Sequence, residues 1–168
     1  MKYICKIKSP IGMLTVLSDG TNISCIRIAG QKYFTELSEK NAEKHNLPLF
    51  DELRLWFEIY FSGQKPNFMP PITLRGSMFR MSVWKLLREI PYGQTTTYGD
   101  VANLLEKENK NGKVSARAIG NAVGHNPIPI LIPCHRVIAK NGSLTGYAGG
   151  IDIKVKLLSL EGITKFRR

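Results

Sequence analysis

The sequence predicts a mixed α+β protein in two domains: a small α/β domain built on an antiparallel sheet, then a helical domain. Three observations carry that prediction. The first thirty residues alternate in short β-branched runs, the residues after 74 follow helical spacing, and a proline-rich stretch divides the two patterns. A chain of 168 residues suffices for two small domains with real cores. The expected division is 1–73, with its linker, and 74–168.

In the first part, Lys2–Lys8, Met13–Ser18 and Ile23–Ala29 read as strands. Ser9-Pro10-Ile11-Gly12 and Asp19-Gly20-Thr21-Asn22 are the turns between them, so the three form an antiparallel meander. A helix is predicted over Leu49–Phe61, with Phe50, Leu53, Trp56, Phe57 and Tyr60 on one face. Gln64–Leu74 holds Pro66, Pro70 and Pro71, lacks periodicity and reads as the linker.

In the second part, Ser77 caps a helix to about Glu89 whose apolar stripe is Phe79, Val83, Trp84, Leu87 and Ile90. Thr97 and Asp100 make a capping signal for a helix from Tyr98 to about Leu105. Glu106–Lys113 reads as a polar loop. Ser115 caps a third helix from Ala116 to about Gly124, ended by Asn126-Pro127. Ile128–Cys134 reads as extended and stiff, and a last helix spans Ile153–Glu161 before Gly162.

The net charge is +11, and it is uneven. Residues 1–73 hold 9 basic and 7 acidic side chains; residues 74–168 hold 15 and 6. The second domain therefore has the balance of a polyanion binder. Two short helices joined by a polar loop within it suggest a helix-turn-helix. The second of these is mostly small residues with one cation, Arg117, which suits either a close helix contact or a nucleic-acid groove read by shape. No apolar run reaches the ~18 residues of a membrane span, and the N-terminus lacks a signal-peptide pattern. The expectation is a cytoplasmic protein without membrane contact.

Three cysteines, Cys5, Cys25 and Cys134, are too few and too scattered for a disulfide scaffold or a zinc cluster, so no metal site is expected. Cys5 and Cys25 lie in predicted strands and read as small hydrophobes. Cys134 differs, because Pro133-Cys134-His135-Arg136 sets a thiol beside an imidazole and a guanidinium. Neighbouring His or Arg lowers a thiol pKa, which is what a nucleophilic cysteine needs. In an extended chain, however, His135 would face away from the sulfur. Proton transfer then requires a turn or a bridging water. Glu161 is one of few acids available to orient the imidazole.

Pro133–Arg136 resembles the active-site motif of the O6-alkylguanine-DNA alkyltransferases, the methylated-DNA–protein-cysteine methyltransferases. The similarity covers Asn126–Ile138 as a block. It extends to Ile90–Ala102, Gly146-Tyr147-Ala148-Gly149-Gly150 and Leu160-Glu161-Gly162, and so spans about residues 74–162. The resemblance implies a ribonuclease H-like N-terminal domain and a winged helix-turn-helix in the C-terminal one. It implies repair of O6-alkylguanine in double-stranded DNA by irreversible, single-turnover transfer to a cysteine after base flipping, without a cofactor. The protein would be a monomer, loading on DNA either independently or cooperatively.

By the same resemblance, Cys134 is the alkyl acceptor, His135 takes its proton through a water, and Glu161 orients His135. Asn126 is the hinge between recognition helix and active site. Tyr98 sits at the mouth and protonates the leaving guanine. Arg117 fills the space of the flipped base, and Ala118, Asn121 and Thr97 join the DNA contact. Val123, Tyr147, Ala148 and Gly149 line the pocket, with the Ala148 N–H aimed at the guanine oxygen. The sequence departs from some relatives in having Ala148 where they carry Ser, in a longer Glu106–Lys113 loop, and in lacking a matching zinc pattern near His45.

Overall fold

A computed structural model describes residues 2–31, 42–109 and 112–167. It divides into two compact units, residues 1–75 and 76–168.

The first unit is a four-stranded sheet with one helix. Strands β1 (Lys2–Ser9), β2 (Gly12–Ser18) and β3 (Ile23–Ile28) form the predicted antiparallel meander. A short strand β4 (Ala42–Lys44) adds parallel to β1, giving the order β3-β2-β1-β4. The sheet is therefore mixed. Three residues reading Ala-Glu-Lys carry no strand signal, and only the open edge of β1 makes them a strand.

Helix α1 (Pro48–Phe61) packs against β1 and buries the whole predicted stripe together with Leu49. Proline at its first position costs nothing there, because that N–H has no helical partner. The segment read as a linker is held to this unit. Ile23 N–H donates to Pro71 O at 2.8 Å, Thr73 N–H donates to Ile23 O at 2.9 Å, and Trp56 Nε1 donates to Phe68 O at 3.0 Å. The proline-rich run thus covers the free edge of β3, where few donors are needed.

The second unit clusters α2 (Met78–Arg88), α3 (Tyr98–Asn109) and α4 (Ala116–Gly124) against one another. The predicted caps are all formed. Ser77 Oγ accepts from Arg80 N–H, and Ser115 Oγ accepts from Ala118 N–H. Thr97 and Asp100 exchange bonds, Asp100 N–H to Thr97 Oγ1 at 3.1 Å and Thr97 N–H to Asp100 Oδ2 at 3.3 Å. Trp84 anchors α2 to α4 through Nε1–H to Ala122 O at 2.8 Å. Its ring leaves no room above Gly76, where a Cβ would lie 2.9 Å from two ring carbons.

Two expectations are corrected here. Phe79 does not join the buried stripe; it is 38% exposed beside exposed Met78, and Leu86 is buried instead. Helix α3 runs one turn beyond Leu105, through Glu106 to Asn109. Charged residues with long side chains continue a helix readily, and the Glu106 carboxylate then accepts from Val114 N–H to close the connection. Lys110 and Asn111 of the predicted loop lie outside the described residues.

Two-residue strands β5 (Thr96–Thr97) and β6 (Val137–Ile138) pair in parallel, and α5 (Ile151–Leu160) closes the chain over them. After β6 a turn at Ala139–Ser143 returns toward Arg167, with Leu144 N–H donating to Arg167 O at 2.8 Å. No helix among the described residues is long and apolar enough to cross a membrane.

Candidate active site

Ile128–Cys134 is not extended. The chain folds back on itself, with Ile132 N–H donating to Ile128 O at 3.0 Å. Ile130 sits at φ +77°, the only non-glycine residue at positive φ among those described. A β-branched residue adopts that region only under constraint, and Asn126 supplies it. Its Nδ2 donates to Ile132 O at 2.8 Å and its Oδ1 accepts from Ile128 N–H at 3.0 Å. Both ends of the fold-back are thus stapled by one buried side chain directly after α4.

The chain then enters a single 3-10 turn, Cys134–Arg136, whose three side chains are all buried. This removes the geometric objection raised by an extended strand, because adjacent residues of a turn need not face opposite ways.

His135 Nε2–H donates to Glu161 Oε1 at 2.7 Å, with both side chains wholly buried. Arg136 also reaches Glu161, Nε to Oε2 at 2.8 Å and an η-nitrogen to Oε1 at 3.0 Å, while its other η-nitrogen donates to Ile90 O at 2.7 Å. Gly93 N–H adds a bond to Glu161 Oε2 at 3.2 Å. Gly93 lies at φ +77°, and a Cβ on it would come within 3.3 Å of Glu161 O. The Pro91-Tyr92-Gly93 turn therefore does more than stop α2: it seats the carboxylate.

The electrostatics follow from these partners. Burial alone would raise the Glu161 pKa, but hydrogen bonds from His135 and Arg136 outweigh it and bring the group to about 2. His135 is lowered from the ordinary histidine value by burial, against the opposing pull of Glu161. The site near neutral pH holds a carboxylate and a neutral imidazole.

The Cys134 thiol is pushed up by burial. Asn126, the charge of Lys154 and the Tyr147 hydroxyl act against burial and favour the thiolate. This corrects the expectation that His135 and Arg136 lower the thiol. Both are turned toward Glu161, and the cation that acts on Cys134 comes from α5.

Of the other predicted residues, Tyr98 begins α3 with its hydroxyl donating to Thr145 O at 2.9 Å, and burial raises its pKa. A Cβ on Gly120 would touch the Tyr98 ring at 3.8 Å, so α4 and this ring are in contact. Val123 is buried on α4, and Tyr147, Ala148 and Gly149 are half-buried in the loop before α5. Arg117 and Asn121 are exposed on α4, Ala118 half-exposed, and Thr97 is spent on the α3 cap. Sequence reasoning missed Gly93 as a partner of Glu161 and Lys154 near Cys134. A glycine in a turn and a lysine in a helix carry no signal of those roles.

Among the described residues no three His, Cys, Asp or Glu side chains gather as metal ligands.

Comparison with known proteins adds the following. Residues 2–74 match the family model of the 6-O-methylguanine DNA methyltransferase ribonuclease-like domain, and residues 78–163 match that of its DNA binding domain. The chain is 41% identical to the methylated-DNA–protein-cysteine methyltransferase of Haemophilus influenzae, covering 96% of this chain and 87% of that one. It is 40% identical to the enzyme of the same name from Methanosarcina acetivorans, over 95% and 98%. The crystal structure of the Mycobacterium tuberculosis O6-methylguanine methyltransferase superposes with a TM-score of 0.82 at 39% identity, covering 96% and 93%. The Mycobacterium tuberculosis protein in complex with DNA gives the same TM-score.

Proposed function

The chain belongs to the 6-O-methylguanine DNA methyltransferase family and repairs DNA by moving an alkyl group onto one of its own cysteines; from that premise we propose that Cys134 is the acceptor and O6-alkylguanine in duplex DNA the substrate. The observation that carries this assignment is the single turn Cys134–Arg136, which sets the thiol next to an imidazole already oriented by Glu161 at 2.7 Å. Cys5 and Cys25 lie on strands β1 and β3 of the first unit, where Cys25 packs into the apolar core.

In the reaction, the Cys134 sulfur attacks the alkyl carbon in line and the carbon–O6 bond breaks. The bonding pair goes to guanine, which takes up a proton. Nε2 of His135 is held by Glu161, so Nδ1 is the nitrogen that receives the thiol proton, through a water. Glu161 stabilises the imidazolium that results. Tyr98, kept protonated by burial, is the donor to guanine; its bond to Thr145 O must be exchanged for one to the base. The product is a thioether with no carbonyl for water to attack, so each molecule acts once.

The target carbon lies inside the duplex and the base must be extruded, at a cost of a few kcal/mol. Exposed Arg117 on α4 is the side chain that fills the gap. Ala118, Asn121 and Thr97 flank it, and Val123, Tyr147, Ala148 and Gly149 receive the base, with the Ala148 N–H on its oxygen. The division of labour places DNA binding and chemistry in residues 74–168. The protein works as a cytoplasmic monomer without a cofactor.

The experiment is intact-mass and peptide mass spectrometry after mixing with a duplex carrying one O6-methylguanine. One methyl on Cys134 per molecule is the expected result. Bound DNA without any added mass would leave the chain a binding protein only.

A further inference from the structure

Lys154 lies in the middle of α5 with 0% of its surface exposed. Its Nζ donates to Val137 O at 2.6 Å. Val137 N–H in turn donates to Cys134 O and closes the 3-10 turn. The ammonium is therefore pinned to the residue that ends the turn carrying Cys134. A buried ammonium is costly unless something neutralises it. Among the described residues no carboxylate forms an ion pair with Lys154, and Glu161 is already engaged by His135 and Arg136. The titratable group that acts electrostatically on Lys154 is Cys134.

We propose that Lys154 is a positioning residue for alkyl transfer, its ammonium stabilising the Cys134 thiolate that forms when His135 takes the thiol proton. This rests on the reading of Cys134 as the alkyl acceptor. The charged and titratable groups around the pair leave that task to Lys154. On the turn, the His135 imidazolium and the Arg136 guanidinium are both held against the Glu161 carboxylate from the end of α5. From α3, Tyr98 stays protonated, and from the loop before α5, the uncharged Tyr147 hydroxyl also favours the thiolate.

Burial opposes both charges, pushing the thiol up and pulling Lys154 down to about 8, and each charge offsets the other's penalty. In the reaction the thiolate pair forms the new sulfur–carbon bond while the carbon–O6 pair leaves with guanine, which is then protonated. Lys154 keeps its protons throughout. The thioether is neutral, so Lys154 ends the reaction without its counter-charge.

The test uses Lys154→Met in the full chain. Cys134 is titrated by its thiolate ultraviolet absorbance, as the difference from the Cys134→Ser protein. The rate of alkyl transfer from the free O6-methylguanine base is followed across pH. The expected result is a Cys134 pKa higher by about one unit or more, which is about tenfold less thiolate near neutral pH. The rate deficit then shrinks as pH rises. An unchanged Cys134 pKa, with the rate lowered by one factor at every pH or not at all, overturns the proposal.

Where Lys154→Met does not fold, NMR of labelled lysine carbons reads the same coupling from the other side. Lys154 titrates about one unit lower in Cys134→Ser than in the unaltered protein, and equal midpoints overturn the proposal. Neither titration requires methyl transfer. Failure of the unaltered protein to take up a methyl at Cys134 therefore counts against the acceptor assignment and is told apart from failure of the ion pair.

Discussion

Glu161 Oε1 lies 2.7 Å from His135 Nε2 and, through the same carboxylate, compensates the buried guanidinium of Arg136. One side chain thus orients the general base and neutralises a cation. Replacing it by glutamine keeps the shape but leaves Arg136 buried without its counter-charge. Breaking a buried pair in this way costs about 3–5 kcal/mol. Glu161→Gln should therefore lose that much in urea denaturation and also transfer alkyl groups at least about a hundredfold more slowly, in the range of a lost general base. Stability within about 1 kcal/mol of the unaltered protein would mean that the carboxylate is solvated after all.

The same carboxylate makes stability depend on acid pH. Its folded pKa of about 2 lies below the unfolded value near 4.5. The unfolded chain therefore binds the proton more readily between those values, and stability is complete above the unfolded pKa and lost as pH falls through the folded one. The loss attributable to this group is about 3 kcal/mol over that window. His135 acts in the same direction at higher pH, because its folded pKa is also depressed and protonation favours the unfolded chain below about 6.5. Stabilities measured from pH 7 to 2 should differ most from those of Glu161→Gln near neutral pH, and the gap should close as pH falls below 4.5. Parallel curves would remove Glu161 as the source.

Asn126 is the staple of the fold-back that delivers Cys134, bonded to Ile132 O and Ile128 N–H. Asn126→Ala leaves Ile128 N–H buried without its partner, at about 1–3 kcal/mol, takes one of two bonds from Ile132 O, which still accepts from Cys134 N–H at 2.8 Å, and frees Ile130 from its positive φ. The expected outcome is a stability loss of about 1–3 kcal/mol on that basis, accompanied by near-complete loss of methyl transfer. Full transfer by a destabilised Asn126→Ala protein would show that the turn holds its shape without the staple.

Much of this architecture is written locally. Ser77, Ser115 and the Thr97–Asp100 pair cap the helices they were expected to cap, because a cap depends on residues within one turn. The α1 stripe is equally local. What escaped the sequence depends on distant partners. Proline-rich Ile128–Cys134 has extended propensity, yet one asparagine side chain folds it back. Ala42–Lys44 is a strand only because β1 offers an edge. Arg136 sits beside Cys134 in the sequence and faces Glu161 in space. Lys154 contributes to the basic excess that suggests DNA, but it is buried and presents that charge to no phosphate.

Arg117 separates recognition from chemistry. It is exposed on α4, near neither Cys134 nor Glu161 in the hydrogen-bond network, so truncating it removes no buried contact. Arg117→Ala should leave stability within about 0.5 kcal/mol, as for an ordinary surface substitution. Its reaction with the free O6-methylguanine base should also be unchanged, since no duplex has to be opened. Its reaction with a methylated duplex should fall at least about tenfold, because extrusion costs a few kcal/mol and the side chain that offsets part of it is gone. A simple loss of phosphate contact would instead weaken binding to methylated and undamaged duplex alike and lower the salt slope by about one unit. Measuring both rates together with the salt dependence of binding to undamaged DNA distinguishes the two. An equal loss on free base and duplex would remove Arg117 from base extrusion altogether.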